Sequence, residues 1–134
     1  MFTNSQAYDA IISHVEAFTE DNPIPIQWGN QKDFKPPQKG LWCRVTVQYG
    51  DSYISGLAFG TLERDIGIIS IQCFARKGTG EIDLLKLADK WRQHFKGHVN
   101  QFFHVNKTNA PTQADTELDT DFVMSLVRID FRVN

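Results

Sequence analysis

From Glu63 to Phe95 the chain reads ERDIGIISIQCFARKGTGEIDLLKLADKWRQHF, and no other stretch constrains the fold as much. Ile66 to Ala75 is mostly β-branched and apolar, which fits a well-buried strand. Lys77-Gly78-Thr79-Gly80 then breaks the run. Glycine gives the backbone room to turn, and the Thr79 hydroxyl is placed to cap a helix start. From Glu81 the period changes, and Leu84, Leu85, Ala88, Trp91 and Phe95 form one apolar stripe at helical spacing. Glu81 and Asp83 open this helix while Lys90, Arg92 and Lys96 close it, so each end carries the charge its dipole favours. Gly97 supplies a stop. A buried strand running into an amphipathic helix is a layer unit that the rest of the chain must cover.

Around this unit the elements come in order. Asn4 or Ser5 is the expected cap of a first helix whose face is Ala7, Tyr8, Ile11, Ile12, Val15 and Phe18. Pro23 and Pro25 enforce an extended segment, and the alternation of Ile24, Ile26 and Trp28 suggests a short edge strand. Gly29 to Lys39, ending in Pro36-Pro37, reads as a loop. Leu41 to Tyr49 is a strand. Leu41, Cys43, Val45, Val47 and Tyr49 face one way, and Trp42, Arg44, Thr46 and Gln48 face the other, a set suited to solvent or to a second subunit. Gly50 to Asp65 fits a long hairpin or an ordered loop, and a segment of that length usually has a task. After Gly97 a strand is expected from Val99 to Val105, then a flexible polar loop from Asn106 to Asp119. Phe122 to Val133 closes the chain as a strand with Val123, Val127, Ile129, Phe131 and Val133 on one face. The expected fold is α+β. Two helices pack on one mostly antiparallel sheet of four to five strands with a protruding hairpin or long loop, all within one domain spanning 1–134.

Composition excludes several classes. The 134 residues can bury roughly two-thirds of their unfolded surface without staples. A net charge of −2 argues against DNA binding through a basic surface. No run approaches the roughly 18 apolar residues of a membrane helix, and MFTNSQAYDA has neither the basic region nor the apolar core of an export signal. Cys43 and Cys73, the only two cysteines, lie in strand-like runs and are expected as a reduced, buried pair. His94 and His98 are four apart, but Gly97 falls between them and no third ligand is evident, so both are expected as solvated side chains. Glu81 with Asp83 sits where a helix N-terminus favours acids, and Glu63 with Asp65 at a strand entrance. Gly78-Thr79-Gly80 lacks phosphate-loop spacing, and no Gly-x-Ser-x-Gly occurs. No catalytic residue, cofactor or metal is expected.

One combination of motifs is familiar. Pro25-Ile26-Gln27-Trp28 is followed by Pro36-Pro37 and Trp42-Cys43-Arg44-Val45-Thr46-Val47. Then come Arg64-x-x-Gly67-x-Ile69-x-Ile71-Gln72-x-Phe74, Gly78-Thr79-Gly80 and Leu87-Ala88-Asp89. In order and spacing this resembles the tail terminator family of long-tailed phages and prophages, in its small tail-completion-like branch, over roughly Ile11 to Phe95. Ala75-Arg76-Lys77 departs from the family, which has a proline-containing segment there. The resemblance implies a structural virion protein without enzymatic activity, located in the virion tail and assembled in the host cytoplasm. It implies a homo-hexameric ring that ends tube polymerisation and joins the head-side connector. Implied partners are other copies of itself, the tail tube protein and the connector protein, with DNA passing through unbound and no membrane involved. Trp42, Arg44, Gln48, Ile54, Leu57, Phe59 and Arg64 are then the candidates for subunit or tube contacts. Asp115, Glu117 and Asp119 are the candidates for an acidic loop facing the lumen, where like charge keeps DNA from sticking. Two other readings stay open: another neck or head-closure component, and a small α+β enzyme.

Overall fold

In a computed structural model of the chain, the described residues are 2–29, 31, 33–50, 53–54, 63–78, 81–115 and 122–134. For 53–54, 63–64 and 113–115 the description is of the backbone. The elements run α1 (Asn4–Asp21), β1 (Ile26–Trp28), β2 (Trp42–Tyr49), β3 (Tyr53–Ile54), β4 (Glu63–Arg64), β5 (Ile66–Arg76), α2 (Ile82–Phe95), β6 (Phe103–Thr108), β7 (Thr112–Asp115) and β8 (Phe122–Val133). The main sheet has the order β1-β2-β5-β8-β6, with β7 also paired to β8. Only β1 on β2 is parallel. Two helices and a mostly antiparallel sheet make this the expected α+β fold.

Both helices lie on one face of the sheet, because their apolar stripes and the odd-numbered residues of the strands share one core. Ala7, Ile11, Val15 and Phe18 of α1 and Leu84, Leu87, Ala88, Trp91 and Phe95 of α2 are buried together with Val45, Ile69, Ile71, Val127, Ile129 and Phe131. The Phe18 ring stacks on Trp91 with centroids 3.7 Å apart, which fastens α1 to α2. The Tyr49 hydroxyl donates to the Asn4 carbonyl at 2.9 Å, fixing the start of α1 to the end of β2.

This packing favours glycine at position 67. A Cβ there would come within 2.6 Å of the Gln48 carbonyl oxygen and 2.6 Å of Phe131 Cζ. The Phe131 ring, directly opposite Gly67 in the β5–β8 register, fills the space a side chain would need.

Four expectations are corrected. The cap of α1 is Thr3, not Asn4 or Ser5. Its hydroxyl accepts from the Gln6 N–H at 3.2 Å and Gln6 Oε1 accepts from the Thr3 N–H at 2.9 Å, a reciprocal capping box. The N-cap of α2 is Glu81, with no side-chain cap; Thr79 lies outside the described residues. The strand expected from Val99 begins only at Phe103. Asn100 Oδ1 accepts from the N–H groups of Phe102 and Phe103 at 2.8 and 2.9 Å, so residues 99–102 form a side-chain-held turn whose alternation imitates a strand. The stretch expected as a loop from Asn106 contains the end of β6 and all of β7. These two form an interrupted edge along β8, broken at Asn109–Pro111, where the Asn109 N–H donates to the Arg128 carbonyl at 2.9 Å. A long partner strand thus recruits a segment of weak strand propensity.

In the 50–65 segment, expected as a long hairpin or an ordered loop, Tyr53 pairs with Arg64 and Ile54 with Glu63 in antiparallel register. Cys43 and Cys73 are free, buried and directly opposite each other, with sulfurs 3.7 Å apart.

Candidate functional site

The even-numbered residues of β2, β5 and β8 point away from both helices and form a second sheet face. The strand registers arrange them in rows: Trp42–Phe74–Met124, Arg44–Gln72–Leu126, Thr46–Ser70–Arg128, Gln48–Ile68–Asp130, and Ile66 beside Arg132. Beyond the first row, Arg76 sits opposite Phe122, its guanidinium carbon 4.8 Å from the ring centroid.

This face changes character along its length. At one end Trp42, Phe74 and Phe122 are only 4–5% exposed and make a small second core. Trp42 stacks on Phe74 at 4.1 Å, and Phe34 lies over Trp42 at 5.2 Å. The loop before β2 provides this cover, and Arg76 holds it by donating to the Pro37 carbonyl at 3.1 Å. Trp42 therefore lies beneath Phe34 and does not itself form the surface.

Further along, the face is polar and open among the described residues. Arg44 is half-buried over the Phe74 ring. It donates through Nε to Gln27 Oε1 at 3.1 Å and through Nη1 to Gln72 Oε1 at 3.4 Å. Both acceptors are neutral, so these bonds orient the guanidinium without neutralising it. Arg128 is exposed. Arg132 contacts the His104 ring nitrogen at 3.4 Å. Gln48, Ile68, Arg128 and Asp130 line a hollow of about 450 Å³ at this end. The face thus has oriented positive charge, half-buried apolar side chains and a recess, with no nucleophile–base pair among the described residues. It is suited to holding another macromolecular surface.

Elsewhere the described residues offer little chemistry. A cleft of about 630 Å³ between the end of α1 and α2 is lined by Asp21, Asp83, Lys86 and Lys90 among others. No group of three or more His, Cys, Asp or Glu among the described residues is placed to hold a metal ion. Nor is any described helix long and apolar enough to cross a membrane.

His94 and His98 are not solvated side chains, as the sequence suggested. The His14 ring of α1 lies between them, with centroids 3.9 Å from His94 and 3.8 Å from His98. His14 Nε2 meets the His94 carbonyl at 2.9 Å and His94 Nε2 meets the His14 carbonyl at 2.7 Å. A carbonyl can only accept, so both Nε2 atoms carry the proton. Burial first, with the nearby His94 and His98 rings adding to it, lowers the His14 pKa to about 4 against the opposing effect of its backbone bond. Burial also lowers His98. The three stacked rings clamp α1 to the end of α2.

Of the contact residues expected from the sequence, Trp42, Arg44 and Gln48 lie on this second face. Ile54 and Arg64 belong to the β3–β4 pairing, with side chains outside the described residues; Leu57 and Phe59 lie outside them altogether. Asp115 ends β7, and Glu117 and Asp119 are outside the described residues. Sequence reasoning did not connect Gln72, Arg128 and Arg132 to Arg44. The alternation Arg128, Asp130, Arg132 was visible, but only the register shows that it shares a face with β2.

Comparison with known proteins completes this picture. No curated protein matches the chain. Among the solved structures that are similar, one has a TM-score of 0.61 at 21% identity, covering 95% of each chain, and so supports the fold alone. A family model described as phage tail terminator protein matches residues 6–130, from the first turns of α1 to near the end of β8. Since that match takes in nearly the whole chain, the protein belongs to the phage tail terminator family.

Proposed function

We propose that this chain caps the phage tail tube as a ring of its own copies, ends tube polymerisation and presents a surface to the head-side connector. The family match across residues 6–130 carries this reading, since the family is one of structural tail proteins. The helix-free sheet face supports it, because oriented arginines among half-buried apolar side chains suit a protein–protein contact. We take the ring to be a hexamer assembled in the host cytoplasm. Arg44 and Gln48 contribute to subunit contacts from the sheet face, with Trp42 supporting from beneath. Ile54, Leu57, Phe59 and Arg64 contribute from the 50–65 segment to a neighbour or to the tube. Asp115, Glu117 and Asp119 line the lumen and repel passing DNA. The role is mechanical, with no bond made or broken.

Tail assembly with and without the chain tests this. With it, tubes end at one length and carry the protein at a single tip; without it, tubes overgrow. Tubes of uniform length in its absence would remove the proposed role. Phe59→Asp is expected to leave a folded protein that no longer halts tube growth.

A further inference from the structure

Two surfaces of this protein carry opposite charge on opposite sides of its two layers. On the helix side, α1 has Asp9, Glu16, Glu20 and Asp21 and no lysine or arginine. Asp9, Glu16 and Glu20 are exposed and, at about 100° per residue, fall within about 40° of one another, directly opposite the buried stripe. On the sheet side, the even-numbered positions of β2, β5 and β8 carry Arg44, Arg76, Arg128 and Arg132 against the single carboxylate Asp130. The whole chain has a net charge of −2, so this segregation is local and not a reflection of composition.

We infer that the acidic stripe of α1 on one copy docks across the arginine-bearing sheet face of the next, a head-to-tail contact. The inference deepens the ring reading and rests on it. Neither surface is satisfied internally: among the described residues no carboxylate pairs with Arg44, Arg128 or Arg132, and no cation pairs with Asp9, Glu16 or Glu20. The spacings match. Asp9 and Glu16 are separated by about 10 Å along the helix and Glu20 lies about 6 Å further. Arg44 and Arg128 are two strands and two residues apart, or about 12 Å, and Arg132 lies about 13 Å beyond Arg128. An 18-residue helix spans about 27 Å, long enough to cross the open rows.

The sheet edges are poor alternatives for self-association. β1 has three residues preceded by Pro23 and Pro25, and the opposite edge has a bulge after Val105 and a break at Asn109–Pro111. Such features discourage strand-to-strand joining. A contact between two different patches continues from copy to copy and closes into a ring when the rotation permits.

A charge-swap experiment tests the pairing. One variant combines Asp9→Lys, Glu16→Lys and Glu20→Lys; the other combines Arg44→Glu and Arg128→Glu, with Arg128→Glu alone as a second form that keeps the Arg44 hydrogen bonds. Circular dichroism and thermal melting establish that each is folded. Sedimentation velocity and the tail-length assay then read assembly. Each variant alone is expected to need at least ten times the wild-type concentration to associate. An equimolar mixture, in which every reversed stripe finds a reversed face, is expected to regain wild-type assembly. If wild type itself neither associates nor ends tube growth, the ring reading fails and the interface falls with it. If wild type assembles and both variants match it, the interface is overturned while the ring reading stands. Failure of the mixture to recover would also overturn it, and would leave the sheet face to a different partner such as the tube protein or DNA.

Discussion

The same three strands present two faces built on different rules. On the helix side, Val45, Ile69, Ile71, Val127, Ile129 and Phe131 are at most 1% exposed and lock against Trp91 and Phe95. One residue out of phase, Arg44, Gln72, Thr46, Ser70 and Arg128 hold charge and hydrogen-bonding groups at a surface that no described element covers. The comparison separates tasks: the first face accounts for folding, while the second can change without disturbing the core. Ordinary surface substitutions act within about 0.5 kcal/mol, whereas deletions in a packed interior act several times more strongly.

Ways to break the comparison begin with the core. Trp91→Ala removes the fully buried ring that joins α1 to α2, and urea denaturation is expected to show a loss of about 3–5 kcal/mol. A loss below about 1 kcal/mol would mean that the helices are not held as described. Gly67→Ala forces a Cβ onto the Gln48 carbonyl and the Phe131 ring, with an expected loss of about 1–3 kcal/mol by the same measurement. Gly67→Ala with Phe131→Leu is expected to recover part of it.

The histidine clamp gives a pH signature. A histidine whose folded pKa is depressed binds fewer protons folded than unfolded, so stability rises with pH. Its contribution is complete above the ordinary value of 6.5 and lost as pH falls toward about 4. Melting temperature is therefore expected to fall across that window more steeply for wild type than for His14→Phe, which keeps the ring stack without the titrating group. Identical slopes would show that the clamp does not govern acid stability. The smallest effect belongs to the open face: Arg128→Glu is expected to move stability by no more than about 0.5 kcal/mol. A larger loss would erase the distinction between the two faces.

Much of the core was legible because its signals are local. The strand at Ile66, the stripe from Leu84 to Phe95 and the alternation after Phe122 each fix a face from their own periodicity. The turn at Asn100 misled because its side-chain hydrogen bonds leave an alternating pattern intact. β7 was hidden because pairing with β8, not its own Thr-Gln-Ala-Asp sequence, makes it a strand. The histidine stack joins residues 80 positions apart, a proximity that spacing within α2 could not reveal. On the candidate face, Arg44 and Gln48 could be picked out from β2 alone. Arg128 joined them only through the registers of two strand pairs, and Trp42 proved to belong to a second core.

Side-chain labelling before and after assembly tests whether the sheet face is a contact between copies. Arginine modification followed by mass spectrometry is compared between dispersed and assembled protein, with lysine modification at Lys86 and Lys90 as the helix-side reference. Arg44 and Arg128 are expected to become protected on assembly while both lysines stay reactive. Arg128 remaining as reactive in assembled as in dispersed protein would rule that contact out.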